Sequence, residues 1–124
     1  RPRRLGHVTG EGAGYLILGN KLSPDVAFVS SARQEQLART GYNPVHPDLV
    51  VEVVSPTDKQ PEIRRKLAIY AEAGILVWLV YPQHQRVEVY APDQPVEVLS
   101  ADGTLEGGSI LPGFQLALAD IFTA

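Results

Sequence analysis

Polar and apolar positions along the chain fall into short blocks rather than long periodic runs. Tyr15-Leu16-Ile17-Leu18, closed by Gly19-Asn20, reads as a first strand, and Val26-Ala27-Phe28-Val29, entered through Ser23-Pro24-Asp25, reads as a second. The polar stretch from Ser31 to Thr40 contains a short helical reading over Arg33-Gln34-Glu35-Gln36-Leu37-Ala38. Leu49-Val50-Val51-Glu52-Val53-Val54 has apolar residues on both parities, so it is expected to be a central strand covered on both faces, with Glu52 as its one polar member. Ser55-Pro56-Thr57-Asp58 ends that strand, and Pro61 stands where a first-turn proline is tolerated. A helix is expected from about Pro61 to Ala73, stopped by Gly74 and followed by the apolar strand Ile75 to Tyr81.

Strand, helix and strand joined by short loops predict a βαβ-like unit, hence a parallel or mixed sheet beneath the helix. Pro82-Gln83-His84-Gln85 then turns the chain into the alternating Arg86-Val87-Glu88-Val89-Tyr90, a hairpin with one wet face. Val96-Glu97-Val98-Leu99 and the turn Ala101-Asp102-Gly103 are read as a continuing β-meander, before Ile110-Leu111-Pro112-Gly113-Phe114 and a terminal segment from Leu118 to Phe122. The expected fold is a mixed α/β sheet with one crossover helix and a C-terminal meander, a single domain over residues 1–124.

Composition narrows the function. At 124 residues, 44% hydrophobic and 20% charged, with a mean hydropathy of -0.04, the chain is of ordinary globular type. No apolar run approaches the ~20 residues that would cross a bilayer, so no membrane partner is expected. Eleven basic against 14 acidic residues give a net charge of -3, which excludes a strongly basic nucleic-acid-coating protein. The absence of cysteine excludes disulfides and thiolate metal sites and fits a reducing, cytoplasmic setting. The chain also lacks Met and opens on Arg1-Pro2-Arg3-Arg4, which reads as a processed chain or a fragment and carries no signal-peptide pattern.

Candidate chemistry gathers around Glu52. On a helical wheel Leu67, Tyr70 and Gly74 lie close to Ile63, Ile69 and Ala73 widen the arc, and Lys66 falls in its middle, while Arg64, Arg65 and Glu72 occupy the solvated side. A lysine in a sheet-facing stripe must snorkel outwards or meet an anion, because an unpaired buried ammonium costs several kcal/mol. Glu52, isolated in its β-branched strand, is such an anion. Asp25 adds a second acid at a strand mouth, and two carboxylates near one strand end suit a hard cation such as Mg²⁺, with Mn²⁺ as a substitute. Lys66 would then stabilise charge on a phosphate or orient the attacking water.

Blander readings compete. Glu52 and Lys66 could form only a buried structural ion pair, and Pro24-Asp25 only a turn. Asp48 lies four residues before Glu52, ~13 Å along a strand, and reads as a strand-entry residue. Gly10-Glu11-Gly12-Ala13-Gly14 lacks the ending of a P-loop, and His7, His46 and His84 have no i,i+4 partner for zinc.

The ordered series Pro24-Asp25-Val26-Ala27-Phe28-Val29, Pro47-Asp48-Leu49-Val50-Val51-Glu52-Val53-Val54-Ser55-Pro56, Lys66-Leu67-Ala68-Ile69-Tyr70 with Gly74 and Trp78, and Leu111-Pro112-Gly113-Phe114 resembles a bacterial restriction-endonuclease domain family of the PD-(D/E)XK nuclease superfamily. The likeness runs over almost the whole chain. It implies a restriction-endonuclease-like core that hydrolyses phosphodiesters with Mg²⁺. Asp25 would match the acid of the PD element and Glu52 the acid of the (D/E)XK element, with the backbone carbonyl of Val53 as a further metal ligand. Val54 stands where the superfamily pattern has lysine, and Lys66 on the next helix is the residue that matches the displaced lysine. The resemblance also implies an N-terminal helical segment that this chain begins too late to contain, and an Asp where Tyr81 stands.

Two readings of function follow. In the first, Asp25 and Glu52 bind the metal and Lys66 assists the water or the scissile phosphate of DNA. In the second, a degenerate nuclease fold serves as a binding or assembly module. Arg64 and Arg65, with Arg1, Arg3, Arg4, Arg33 and Arg39, would line a DNA-facing rim, since sequence-independent binding needs only a handful of phosphate contacts. Superfamily nucleases are often dimeric, and the meander edge offers a homodimer surface.

Overall fold

The computed structural model describes residues 5–38 and 40–122. Its main sheet has six strands in the order β1-β4-β5-β6-β7-β8. These are β1 (Gly6–Thr9), β4 (Val26–Ser30), β5 (Leu49–Val53), β6 (Leu76–Tyr81), β7 (Arg86–Tyr90) and β8 (Glu97–Leu99). Only β5 and β6 run parallel, in the register Val50 to Val77 and Glu52 to Leu79, and the other neighbours are antiparallel. The mixed sheet and its crossover helix α1 (Gln60–Glu72) are therefore as expected. Leu49 and Val50, on opposite faces of β5, are both buried, which is why this segment carries no alternation.

Helix α1 begins with Pro61 in its first turn and Glu62 near its positive end. It ends where Gly74 adopts φ +76°, a left-handed conformation that a residue with a Cβ pays for. The Ile75 N–H then reaches back to the Tyr70 carbonyl and the Gly74 N–H to that of Ala71, closing a Schellman cap. Tyr70 is thus held at both its backbone and its fully buried side chain.

Two apolar layers sandwich the sheet. On the α1 side, Ala27, Val29, Val50, Val77 and Tyr70 pack with Tyr15, Ile17 and Leu22 from a separate hairpin of β2 (Tyr15–Ile17) and β3 (Asn20–Leu22). On the far side, Phe28, Leu49, Trp78, Val80 and Val87 meet Leu105 and Leu118. Trp78 stacks on Phe114 with ring centroids 5.7 Å apart. Each fully buried large side chain contributes about 1.5–3 kcal/mol to these layers.

Three expectations are corrected, and one strand is added. The first strand, Tyr15–Ile17, lies outside the main sheet: Leu18 and Gly19 both have positive φ, a two-residue hairpin turn that folds it back onto β3. The edge strand β1 was not anticipated, since its four residues include a Val8 that is 70% exposed and so leave no hydrophobic pattern. The meander stops at β8; β9 (Thr104–Glu106) leaves the main sheet and pairs with β10 (Gln115–Ala117), beside a short helix α2 (Leu118–Phe122). Finally, residues 33–38 form turns and bends, not a helix. Their polar groups are claimed by distant partners: Arg33 by Asp48 and the His46 carbonyl, and Gln34 by the buried Asn43 amide. Tertiary hydrogen bonds here outweigh local helix propensity.

Candidate active site

Strand pairing builds the site. Val26 on β4 faces Val51 on β5, so one further step of the same antiparallel register sets Asp25 opposite Glu52, with both side chains on the α1 face. The Val53 N–H donates to Asp25 Oδ2 at 2.7 Å, which fixes that carboxylate at the strand mouth. Among the described residues the other Asp25 oxygen has no hydrogen bond. Pro24, buried against the core, sets the entry into β4.

Helix α1 delivers two further groups, one turn apart. Lys66 is about one-third exposed and brings Nζ to 4.0 Å from Glu52 Oε1, snorkelling from the sheet-facing stripe as its position on the wheel requires. Tyr70 donates its hydroxyl to Glu52 Oε2 at 2.6 Å. Glu52 is 12% exposed, and burial pushes its carboxyl above the usual range. The Tyr70 hydrogen bond and the Lys66 charge pull it down, the Asp25 charge pushes it up, and the Asp25 backbone N–H again favours the anion. Burial, then the adjacent Glu52, hold the Tyr70 phenol well above its ordinary range, so it is a donor throughout the physiological span.

An open cleft lies over these groups, lined by Glu52, Lys66 and Tyr70 and also by Asp58 and Glu62. Asp58 is tied to its own loop, accepting the Ser55 N–H at 2.8 Å. Glu62 is paired with Arg65 at 2.8 Å, which holds its carboxyl below the usual range.

Asp25, Glu52, Val53 and Lys66, singled out from the sequence, are therefore brought together at one end of β5. Arg64 and Arg65 sit on the exposed side of α1, with Arg65 bound to Glu62. Asp48 stays out of the site: its Oδ1 meets Arg33 at 3.0 Å and its Oδ2 accepts the Ser30 N–H at 2.7 Å. Arg1, Arg3, Arg4 and Arg39 lie outside the described residues. Tyr70 is the site residue that sequence reasoning missed, having counted it as core; its signal was the i,i+4 spacing from Lys66 on the same arc.

The donor set bears on the metal expected here. Among the described residues no group of three or more His, Asp or Glu side chains converges as a closed metal cage. Two carboxylates in register are instead an oxygen-only, open set, which fits Mg²⁺ because that ion keeps several waters and is commonly held by one or two carboxylates.

A family model described as "Putative restriction endonuclease", named Uma2, matches residues 1–119. The chain belongs to the Uma2 family. Among solved structures it is similar to a crystal structure, described as a putative nuclease belonging to DUF820, from Anabaena variabilis ATCC 29413. The TM-score is 0.82 at 24% identity, over 98% of this chain and 70% of that one, which establishes a common fold. No curated protein matches the chain significantly. Among the described residues no helix is long and apolar enough to cross a membrane.

Proposed function

We propose that this Uma2 domain hydrolyses phosphodiester bonds of DNA in a Mg²⁺-dependent reaction, with Mn²⁺ able to replace Mg²⁺. The observation that carries the reading is the placement of Asp25 opposite Glu52, with Lys66 Nζ 4.0 Å from Glu52 and with Glu52 and Lys66 lining a cleft open to solvent. Asp25 and Glu52, with the Val53 carbonyl, would hold the cation. The chemistry Mg²⁺ supplies when bound is neutralisation of phosphate charge and a more acidic water. Glu52 is kept in one orientation by Tyr70, and Lys66 stabilises charge on the phosphate or orients the water. Arg64, exposed on α1, and Arg65 beside it would contribute to a rim that follows the DNA backbone. The absence of cysteine supports a cytoplasmic setting, and the main-sheet edge at β8 is the surface a homodimer would use.

A catalytically degenerate fold acting as a binding or assembly module is the second reading. It is favoured by the internal satisfaction of Glu52 by Tyr70 and Lys66. Cleavage of supercoiled plasmid in Mg²⁺ or Mn²⁺ separates the two. The first reading predicts nicking or linearisation by the wild type, and losses of about 100-fold or more in Asp25→Asn, Glu52→Gln and Lys66→Ala. A folded wild type inert in both metals would leave the second.

A further inference from the structure

The sheet row that contains Glu52 continues beyond the helix. Glu52 pairs with Leu79 on β6, and Leu79 with Glu88 on β7, so the two acids point to the same face about 10 Å apart. Helix α1 does not cover this end of the row: Val98, opposite Glu88 on β8, is 56% exposed.

Glu88 is not used for metal binding by this arrangement; it holds an arginine. Arg86 Nε lies 3.3 Å from Glu88 Oε2, and Tyr90 donates its hydroxyl to Glu88 Oε1 at 2.7 Å. The Arg86 guanidinium carbon stands 4.2 Å from the centroid of the Tyr81 ring, the residue paired with it across β6 and β7. The Nε–Glu88 contact is an ion pair without a hydrogen bond, leaving Nε a buried donor with no partner, so the Tyr81 ring is what orients the guanidinium while Glu88 holds its charge. Among the described residues neither terminal nitrogen of Arg86 has a hydrogen bond, and the side chain is about one-third exposed. This is an oriented fork with its outer donors left over.

We propose that Arg86, clamped between Glu88 and Tyr81, is a binding site for a backbone phosphate of the nucleic acid on which the Asp25–Glu52 centre acts. The inference rests on the nuclease reading above. Two strand spacings and two residues along β7 separate Arg86 from Glu52 by about 12 Å between Cα atoms. Phosphates of one DNA strand recur every ~3.4 Å of helix axis, so Arg86 meets a phosphate a few nucleotides from the one at Glu52. A guanidinium fork matches two phosphate oxygens, and one already immobilised loses little side-chain freedom on binding. The face around it carries Asp25, Glu52 and Glu88, so a fixed cation is what allows a polyanion to lie there. Tyr81 acquires a purpose in the same arrangement: it is the platform for Arg86.

The test is binding of a fluorescein-labelled 20-base-pair duplex to the 124-residue chain in the presence of Ca²⁺, an oxygen-seeking divalent cation, over a series of monovalent salt concentrations. Arg86→Gln is expected to weaken binding and to lower the slope of log K against log salt by about 0.9, one phosphate contact. Arg86→Lys is expected to keep the slope but bind more weakly, because the charge stays and the fork is lost. Circular dichroism confirms that both are folded, and a merely structural Arg86 would not alter the salt slope. If the wild type binds duplex and Arg86→Gln has the same slope and affinity, the phosphate site is wrong while the nuclease reading stands. If the wild type shows no salt-dependent binding, the nuclease reading falls and this site with it.

Discussion

The Tyr70 hydroxyl reaches from the buried face of α1 to Glu52 Oε2 at 2.6 Å, so the helix that covers the sheet also supplies a hydrogen-bond donor to its one acidic central-strand side chain. Asp25 adds negative charge from the neighbouring strand, and Lys66 adds positive charge one turn earlier on the helix. Glu52 is thereby kept in a single orientation at the floor of a wet cleft.

Removal of that donor should be visible without any assay of activity. Tyr70→Phe keeps the ring and its packing but takes away a hydrogen bond to a charged group, and is expected to cost about 1.5–3 kcal/mol at neutral pH. Urea denaturation of the two proteins measures it. The same variant should raise the Glu52 pKa further, read by carboxyl NMR titration, because the phenol's hydrogen bond to the anion is gone.

Glu52 also gives stability a pH dependence of definite sign. Its folded-state pKa is raised, chiefly by burial, so between the ordinary carboxylate value near 4.5 and the folded value the native state binds more protons than the unfolded chain. Stability therefore falls as pH rises through that window and stays lower above it. Glu52→Gln, which can still accept the Tyr70 hydrogen bond, should remove this decline and be at least as stable as the wild type at pH 7. Denaturation midpoints between pH 4 and pH 8 check the sign; a wild type that instead gained stability across the window relative to Glu52→Gln would contradict it.

Asp48 provides the contrast. Its carboxylate ties Arg33 and the Ser30 N–H to the start of β5, and so holds the irregular connection between β4 and β5 in place. Asp48→Ala is expected to destabilise the fold by about 1–3 kcal/mol by leaving these donors unpaired. Divalent-metal affinity should be unchanged, since the position lies ~13 Å from Glu52 along the strand.

These contrasts mark how far the sequence could be read. The double-sided apolar run of Leu49–Val54, the proline-started and glycine-stopped helix and the strand after it predicted the parallel pair, because burial on both faces and helix termination are local signals. Lys66 was legible as a site residue for the same reason: a charge on an apolar stripe needs a partner. The pairing of Asp25 with Glu52 was suggested by the strand-mouth position of Pro24-Asp25 and by the resemblance, but the register of β4 against β5 that sets them opposite each other is not encoded locally in the sequence. Tyr70 could be assigned to the core but its hydroxyl's target could not. Strand β1 and the separate ribbons β2–β3 and β9–β10 escaped because three or four residues hold too little pattern to choose a sheet. The segment at 33–38 looked helical only until Asp48 and Asn43 competed for its side chains.

The central claim is that Asp25 and Glu52 together form a divalent-cation site, and calorimetric titration of Mn²⁺ and Mg²⁺ into wild type and Glu52→Gln at neutral pH tests it most directly. The account predicts saturable binding in the wild type that is lost in a folded Glu52→Gln. Equal binding by the two proteins, or none by the wild type, would contradict it.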